Sequence, residues 1–317
     1  MRAASARARS APSDVLLATA VTLWALNYSV VKYGISQFEP LAFPVFRFGS
    51  AGLVLLAILR IREGSVRVRR GDLPLLAVAG FFGVTVSQVT FVYALTFTSA
   101  SNNALLGATA PIVTAVIATA VGLERSARRH WIAAMIGLAG VVLIVTGSPA
   151  AALLKSSLLG DGLAFGNVLA SSISAILIVP LLLRYSVYRI LTYEMLIGTA
   201  ILLPIAAPSI VSQDLSRIAL GGWATLGYAI LATGVVTNLL YFTAIGRTGA
   251  SRAAIYQYLQ AFLGVVFAVL LLGEGVTLVQ LAGGAIVVGS VILSRSSGRG
   301  RGRAWHESTT LEHCEPP

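Results

Sequence analysis

The chain has 317 residues, 56% of them apolar and only 11% charged, with a mean hydropathy of +0.85. A water-soluble domain carries roughly 25% charged residues, so a soluble surface is excluded and most of the exterior must meet lipid. The net charge of +11 does not mark a nucleic-acid binder, because the arginines fall in short clusters between apolar runs and form no basic face.

In chain order, an Arg-, Ala- and Ser-rich tail over 1–14 precedes the first apolar run, which is too long for a signal-peptide core. A bilayer core about 30 Å thick needs roughly 20 helical residues. The apolar runs predict ten spans near 15–36, 41–60, 73–95, 100–123, 131–147, 161–183, 188–207, 221–245, 252–273 and 277–294. They are continuously apolar, without the alternation of barrel strands, so helices are expected. A periplasmic linker at 148–160 divides a first half, 15–147, from a second, 161–294. A polar Arg- and Gly-rich stretch over 295–317 reads as a disordered tail able to touch anionic lipid. Ten spans place 19 of the 23 Lys and Arg residues on one side, two (Lys155, Arg217) on the other, and two (Lys32, Arg47) within spans. The rule that basic loops stay inside then puts both termini in the cytoplasm of a cell with an inner membrane.

The chain repeats itself at an offset of 150 residues. Thr98-Ser-Ala-Ser101 falls on Thr248-Gly-Ala-Ser251, Gly122-Leu-Glu124 on Leu272-Gly-Glu274, and Gln88 on Asn238. Five spans separate each residue from its copy, so the copies point opposite ways. An all-α integral membrane protein of ten transmembrane helices in two inverted five-helix repeats is the expected fold, an architecture that lets a central site open to each side in turn.

Taken together, these stretches resemble the EamA-type permeases of the drug/metabolite transporter superfamily. The matching residues are Trp24-Ala-Leu-Asn27, Lys32-Tyr-Gly34, Pro44 with Arg47-Phe48, Tyr93-Ala-Leu, Thr98 to Asn103, Ala110-Pro111, Gly122-Leu-Glu124, Tyr193 with Met195 to Gly198, Gly249 to Ala253, Tyr258-Leu259 and Leu272-Gly-Glu274. The resemblance implies transport, often export, of small metabolites. The chain departs from that family at Ala261, where Pro is common, and at Glu194, where an amide is common.

Polar residues inside spans cost a few kcal/mol to insert and so face protein or water. The candidates for a substrate cavity are Trp24, Asn27 and Tyr28 in the first span, Gln88 and Tyr93 in the third, and Asn102 and Asn103 at the start of the fourth. Asn238 and Tyr241 in the eighth span and Tyr256 and Gln260 in the ninth complete the set. Amides and tyrosines serve either a carboxylate or an amine, so the set suits an amino acid, a relative of one, or a drug. Charged candidates are Lys32, which either snorkels to the interface or guards an outer mouth, Arg47, which suits a structural pair or a carbonyl contact, and Glu194 near the inner end of the seventh span, which is either solvated at the interface or a proton carrier. Pro111 should bend the fourth span. Ala133 with Gly137, and Ala285 with Gly289, are small pairs that permit close helix contact within one chain or across a homodimer.

Enzymatic and metal chemistry lack material. The single cysteine, Cys314, and the histidines His130, His306 and His313 fall in loops or the tail, so neither a metal site nor a cofactor is expected. No Walker motif is present, which leaves a secondary carrier powered by a gradient or by exchange. The alternative is a flippase for a lipid-linked substrate.

Overall fold

The computed structural model describes residues 13–26, 36–97, 106–123, 128–146, 158–260, 262–263, 266–267 and 277–295. Asn27, Tyr28, Lys32, Asn102, Asn103, the linker up to 157, residues 1–12 and residues 296–317 lie outside the described residues. Among the described residues ten helical elements follow one another, one for each expected span. They are α1 (Ser13–Leu26), α2 (Ala42–Glu63), α3 (Leu73–Gly80 continued by Phe81–Val86 and Ser87–Phe97), α4 (Ala110–Ala120) and α5 (Arg128–Thr146). The second half holds α6 (Leu158–Leu181), α7 (Val187–Ser212), α8 (Leu220–Tyr228, Ala229–Thr237 and Asn238–Thr248), α9 (Ala250–Ile255) and α10 (Leu278–Arg295). Six are long and apolar enough to cross a bilayer, and α1, α4 and α10 are shorter apolar helices. Among the described residues there is no strand. The chain is an all-α, multi-pass membrane protein.

Helices that the 150-residue offset equates lie against each other in opposite directions. A Cβ on Gly49 of α2 would meet Thr199 of α7, and one on Gly52 would meet Leu196. As α2 ascends, α7 descends. Likewise a Cβ on Gly137 of α5 would meet Ser290 of α10, whereas one on Gly140 would meet Gly283 and Val287. The two halves are therefore inverted copies, as the charge pattern requires.

The same symmetry appears inside the helices. Phe81–Val86 of α3 and Ala229–Thr237 of α8 are wound as π-helix, and the offset carries the first onto the second. Such wide turns misalign carbonyls with the usual donors, and lipid offers no replacement. Polar side chains supply one. Asn238 Nδ2 donates to the Thr233 and Gly234 carbonyls at 2.8 and 2.9 Å, and Thr237 Oγ1 to the Ala232 carbonyl at 2.8 Å. Ser87 Oγ donates to the Gly83 carbonyl at 2.6 Å.

Several details differ from the sequence reading. The seventh span was expected to end before Pro208, yet α7 continues through Pro204 and Pro208 to Ser212. Ser212 Oγ donates to the Pro208 and Ser209 carbonyls (2.9 and 3.3 Å), which helps satisfy the last turn. Ser13 and Asp14, read as tail, already belong to α1 and are buried. His130, read as a loop residue, is buried in the first turn of α5. In α10, Ala285 and Gly289 face outward, and Gly283, Val287 and Ser290 make the contact with α5. Pro111 sits in the first turn of α4, directly after the turn at 108–109 that breaks the span.

Candidate functional site

A cavity of about 250 Å³ lies where the two halves meet. A space of that size admits several waters or a compact metabolite. The first half contributes Trp24 from α1, Arg47 and Phe48 from α2, Gly83, Val84, Ser87 and Gln88 from α3, and Ala110 and Thr114 from α4. The second half contributes Asn167, Ser171, Ser172, Ser174 and Ala175 from α6, and Glu194 and Met195 from α7. Asn238, Tyr241 and Phe242 from α8 and Gln257, just beyond α9, complete the wall.

The wide turn of α3 lines this space and that of α8 ends at its wall, next to Asn238, and each wide turn meets a charged residue of the opposite half. Arg47 Nη2 donates to Thr233 Oγ1 at 2.9 Å, inside the wide turn of α8. Glu194 lies over Gly83 in the wide turn of α3, where any Cβ would collide with its Oε1. Gly83 and Thr233 are equivalent at the 150-residue offset. Glycine in one copy makes room for a carboxylate, and threonine in the other receives a guanidinium.

The two charges are only partly partnered. Ser174 Oγ donates to Glu194 Oε1 at 2.7 Å, and Glu194 is 5% exposed. The Arg47 Nε–H is buried without an acceptor. Among the described residues no ion pair joins Arg47 to Glu194. Neutral groups line other parts of the wall. Thr114 donates to Ser172 at 3.0 Å, Gln257 Nε2 to the Tyr241 hydroxyl at 2.9 Å, and the Trp24 and Tyr241 rings stand 4.9 Å apart, tilted by 60°.

Of the residues singled out from sequence, Trp24, Gln88, Asn238, Tyr241, Arg47 and Glu194 are brought together here. Three others are elsewhere. Tyr93 is exposed on the surface of α3. The Tyr256 hydroxyl donates to Asp14, and Gln260 lies outside the cavity wall while Gln257 lines it. Sequence reasoning missed the polar face of α6. Asn167, Ser171 and Ser174 stand at i, i+4 and i+7, so a helical count over serines as well as amides and tyrosines would have found them.

The EamA-like transporter family model matches residues 11–146 and again 158–296. The chain belongs to the EamA-like transporter family. One similar protein, an uncharacterized transporter of Archaeoglobus fulgidus, is 24% identical over 282 residues, covering 89% of this chain and 96% of that protein. The uncharacterized inner membrane transporter YedA of Escherichia coli K12 is 26% identical over 86% of each chain. A probable terminal-alkyne amino-acid exporter of Streptantibioticus cattleyicolor is 26% identical over 89% of this chain and 95% of its own. A protein crystal structure shares the fold with a TM-score of 0.75 at 16% identity, covering 90% of this chain and 97% of that one. The family and these relatives are transporters, so membrane transport of a small molecule is the setting in which this EamA cavity is read.

Both ends of the EamA bundle are tied by polar contacts. At the Arg-rich end, Arg189 pairs with Glu63 at 2.6 Å, Arg184 with Asp72 at 2.9 Å and Arg252 with Asp14 at 3.4 Å. The Tyr185 hydroxyl donates to Asp72 at 2.6 Å and Tyr193 to the Val66 carbonyl at 2.8 Å. At the opposite end Gln213 Oε1 accepts from Glu39 N at 2.6 Å and Gln37 Oε1 from Ala219 N at 3.1 Å. Beside these, Ser216 holds the exposed Asp214 carboxyl below its usual range through side-chain and backbone hydrogen bonds.

Proposed function

We propose that the chain is a secondary carrier that moves a small polar metabolite, an amino acid or a relative of one, outward across the inner membrane by alternating access. The observation that carries this reading is a polar cavity shared by two inverted halves, tied by ion pairs at the Arg-rich end and closed at the opposite end by the packed rings of Phe38, Phe43, Phe46 and Trp223 beside the Gln37 and Gln213 contacts. Opening the Arg-rich end separates three ion pairs and opening the other end separates an aromatic cluster, so the two closed states of a two-state carrier are held by different contacts. The excess of arginine at the Arg-rich end supports a cytoplasmic position for that end and for both termini. The name of the Streptantibioticus relative as a probable amino-acid exporter supports outward movement of that cargo class.

The direct test is a metabolite comparison of the medium around cells overproducing the chain and cells carrying an empty vector. Selective enrichment of one amino acid or a related compound is the expected result. Equal media across the amino acids and their relatives, alongside increased scrambling of a labelled lipid, would replace the carrier by a flippase.

Among the described residues Glu194 is the only carboxylate in the cavity wall, so it is the acid there that both solutions can reach in turn. Replacing it by glutamine keeps the shape and the acceptor for Ser174 but removes the proton site. Imposing a pH gradient on proteoliposomes should speed net substrate movement through the native carrier and leave the Glu194→Gln rate unchanged. Retained gradient dependence in that variant would assign proton coupling elsewhere.

A further inference from the structure

The cavity holds one positive and one negative side chain at different heights, and their separation follows from the packing of α2 on α7. Gly49 lies opposite Thr199 and Gly52 opposite Leu196. The residue level with Arg47 is therefore Ile201, seven positions from Glu194. At about 1.5 Å per residue, the two charges start from backbones about 10 Å apart along the bundle axis. Both side chains line the cavity, and among the described residues no ion pair joins them. Each holds one neutral hydroxyl, Thr233 for Arg47 and Ser174 for Glu194.

We propose that the transported molecule is a zwitterion, with its carboxylate on Arg47 and its ammonium group directed to Glu194. The inference rests on the carrier reading above and specifies how its site selects cargo. The observation that points to such a ligand is a cavity wall that carries a guanidinium from one half and a carboxylate from the other with no ion pair between them among the described residues. A guanidinium edge offers two parallel donors to one carboxylate. Thr233 takes one Nη2 donor, and the guanidinium carries further donors for a carboxylate in the cavity. Glu194 supplies the opposing charge, so a cargo with a carboxylate alone would meet repulsion, and one with an ammonium alone would face Arg47 uncompensated. Neutral Ser171, Gln88 and Asn167 at the wall leave the side-chain end of the cargo to be chosen by shape and hydrogen bonding.

The experiment uses the full chain in proteoliposomes preloaded with an unlabelled mixture of L-amino acids. Counterflow is followed for three labelled external probes: the same mixture, its methyl esters, which lack the carboxylate, and its N-acetyl derivatives, which lack the ammonium. The native carrier should prefer the free amino acids over both derivatives by about ten-fold or more, the scale of one lost charged hydrogen bond. Arg47→Gln should erase the preference over the esters and keep that over the N-acetyl forms. Glu194→Gln should do the reverse. Each preference is a ratio within one preparation, so reduced folding of a variant does not move it, and Arg47→Lys, which keeps the charge without the fork, should restore part of the ester discrimination. A native carrier that accepts esters or N-acetyl forms as well as free amino acids overturns the zwitterion assignment while the carrier reading stands, as does an Arg47→Gln ratio unchanged from native. Absence of counterflow for every probe overturns both.

Discussion

Gly198→Leu should leave almost no monodisperse carrier in detergent extracts, whereas Gly227→Leu should be recovered at the native level. At Gly198 a Cβ would collide with the Gly80 carbonyl oxygen and lie 2.6 Å from Val84 Cβ, and at Gly80 one would lie 2.6 Å from the Glu194 carbonyl oxygen. α3 and α7 thus touch backbone to backbone at their crossing, and neither obstacle is a flexible side-chain end. The contact also fixes Thr85, which donates to the Gly198 carbonyl at 2.7 Å. Overfilling a packed site by a methylene or two costs about 1–3 kcal/mol, and leucine adds four carbons where none fits. The penalty approaches the whole stability of an ordinary domain, about 5–15 kcal/mol. Gly227 has open space at its Cβ position, so leucine there meets lipid or water. Extraction yield and melting temperature in detergent separate the two variants. A well-folded Gly198→Leu carrier would show that α3 and α7 can part without cost.

That crossing also shows what the sequence could and could not disclose. Long apolar runs and alternating arginine clusters announce spans and their inversion, because lipid forces helices and charge fixes sidedness. Arg47, Glu194, Gln88 and Asn238 stand out since polar groups within lipid-facing runs need a reason to be there. The wide turns in α3 and α8 leave no such mark. Phe81–Val86 is an ordinary apolar stretch, and only its tertiary neighbours decide that it is wound with five-residue spacing. Tyr256 and Gln260 were expected on one helical face, but a turn at 256–257 follows α9 and rotates what comes next. The cavity consequently receives Gln257, one turn early. Asp14 looked like part of a solvated tail for a different reason. Its partners Arg252 and Tyr256 lie more than two hundred residues away, beyond any local pattern.

Ser171→Cys, in a chain whose sole natural cysteine has been replaced by Cys314→Ser, should lose nearly all transport on treatment with a small charged methanethiosulfonate. Leu169→Cys in the same background should lose none. Both positions are exposed by area, but Ser171 lines the cavity and Leu169 does not. Two residues apart on a helix, they point to nearly opposite sides. A thiol reacts as its thiolate, which forms where water and polar groups stabilise charge and not against hydrocarbon. The thiol introduced at position 171 therefore meets reagent and solvent, whereas the one at position 169 stays protonated in lipid. The modified side chain would then occupy much of a cavity of about 250 Å³. Substrate present during the reaction should slow it by filling the same space, and in an alternating carrier the reagent should reach the cavity thiol from either side of the membrane. Equal reaction of the two variants would mean that the surface of α6 is wet all round, incompatible with a bundle in lipid. Full transport after complete modification at position 171 would place the substrate path away from α6, and with it away from Arg47 and Glu194 on the facing wall.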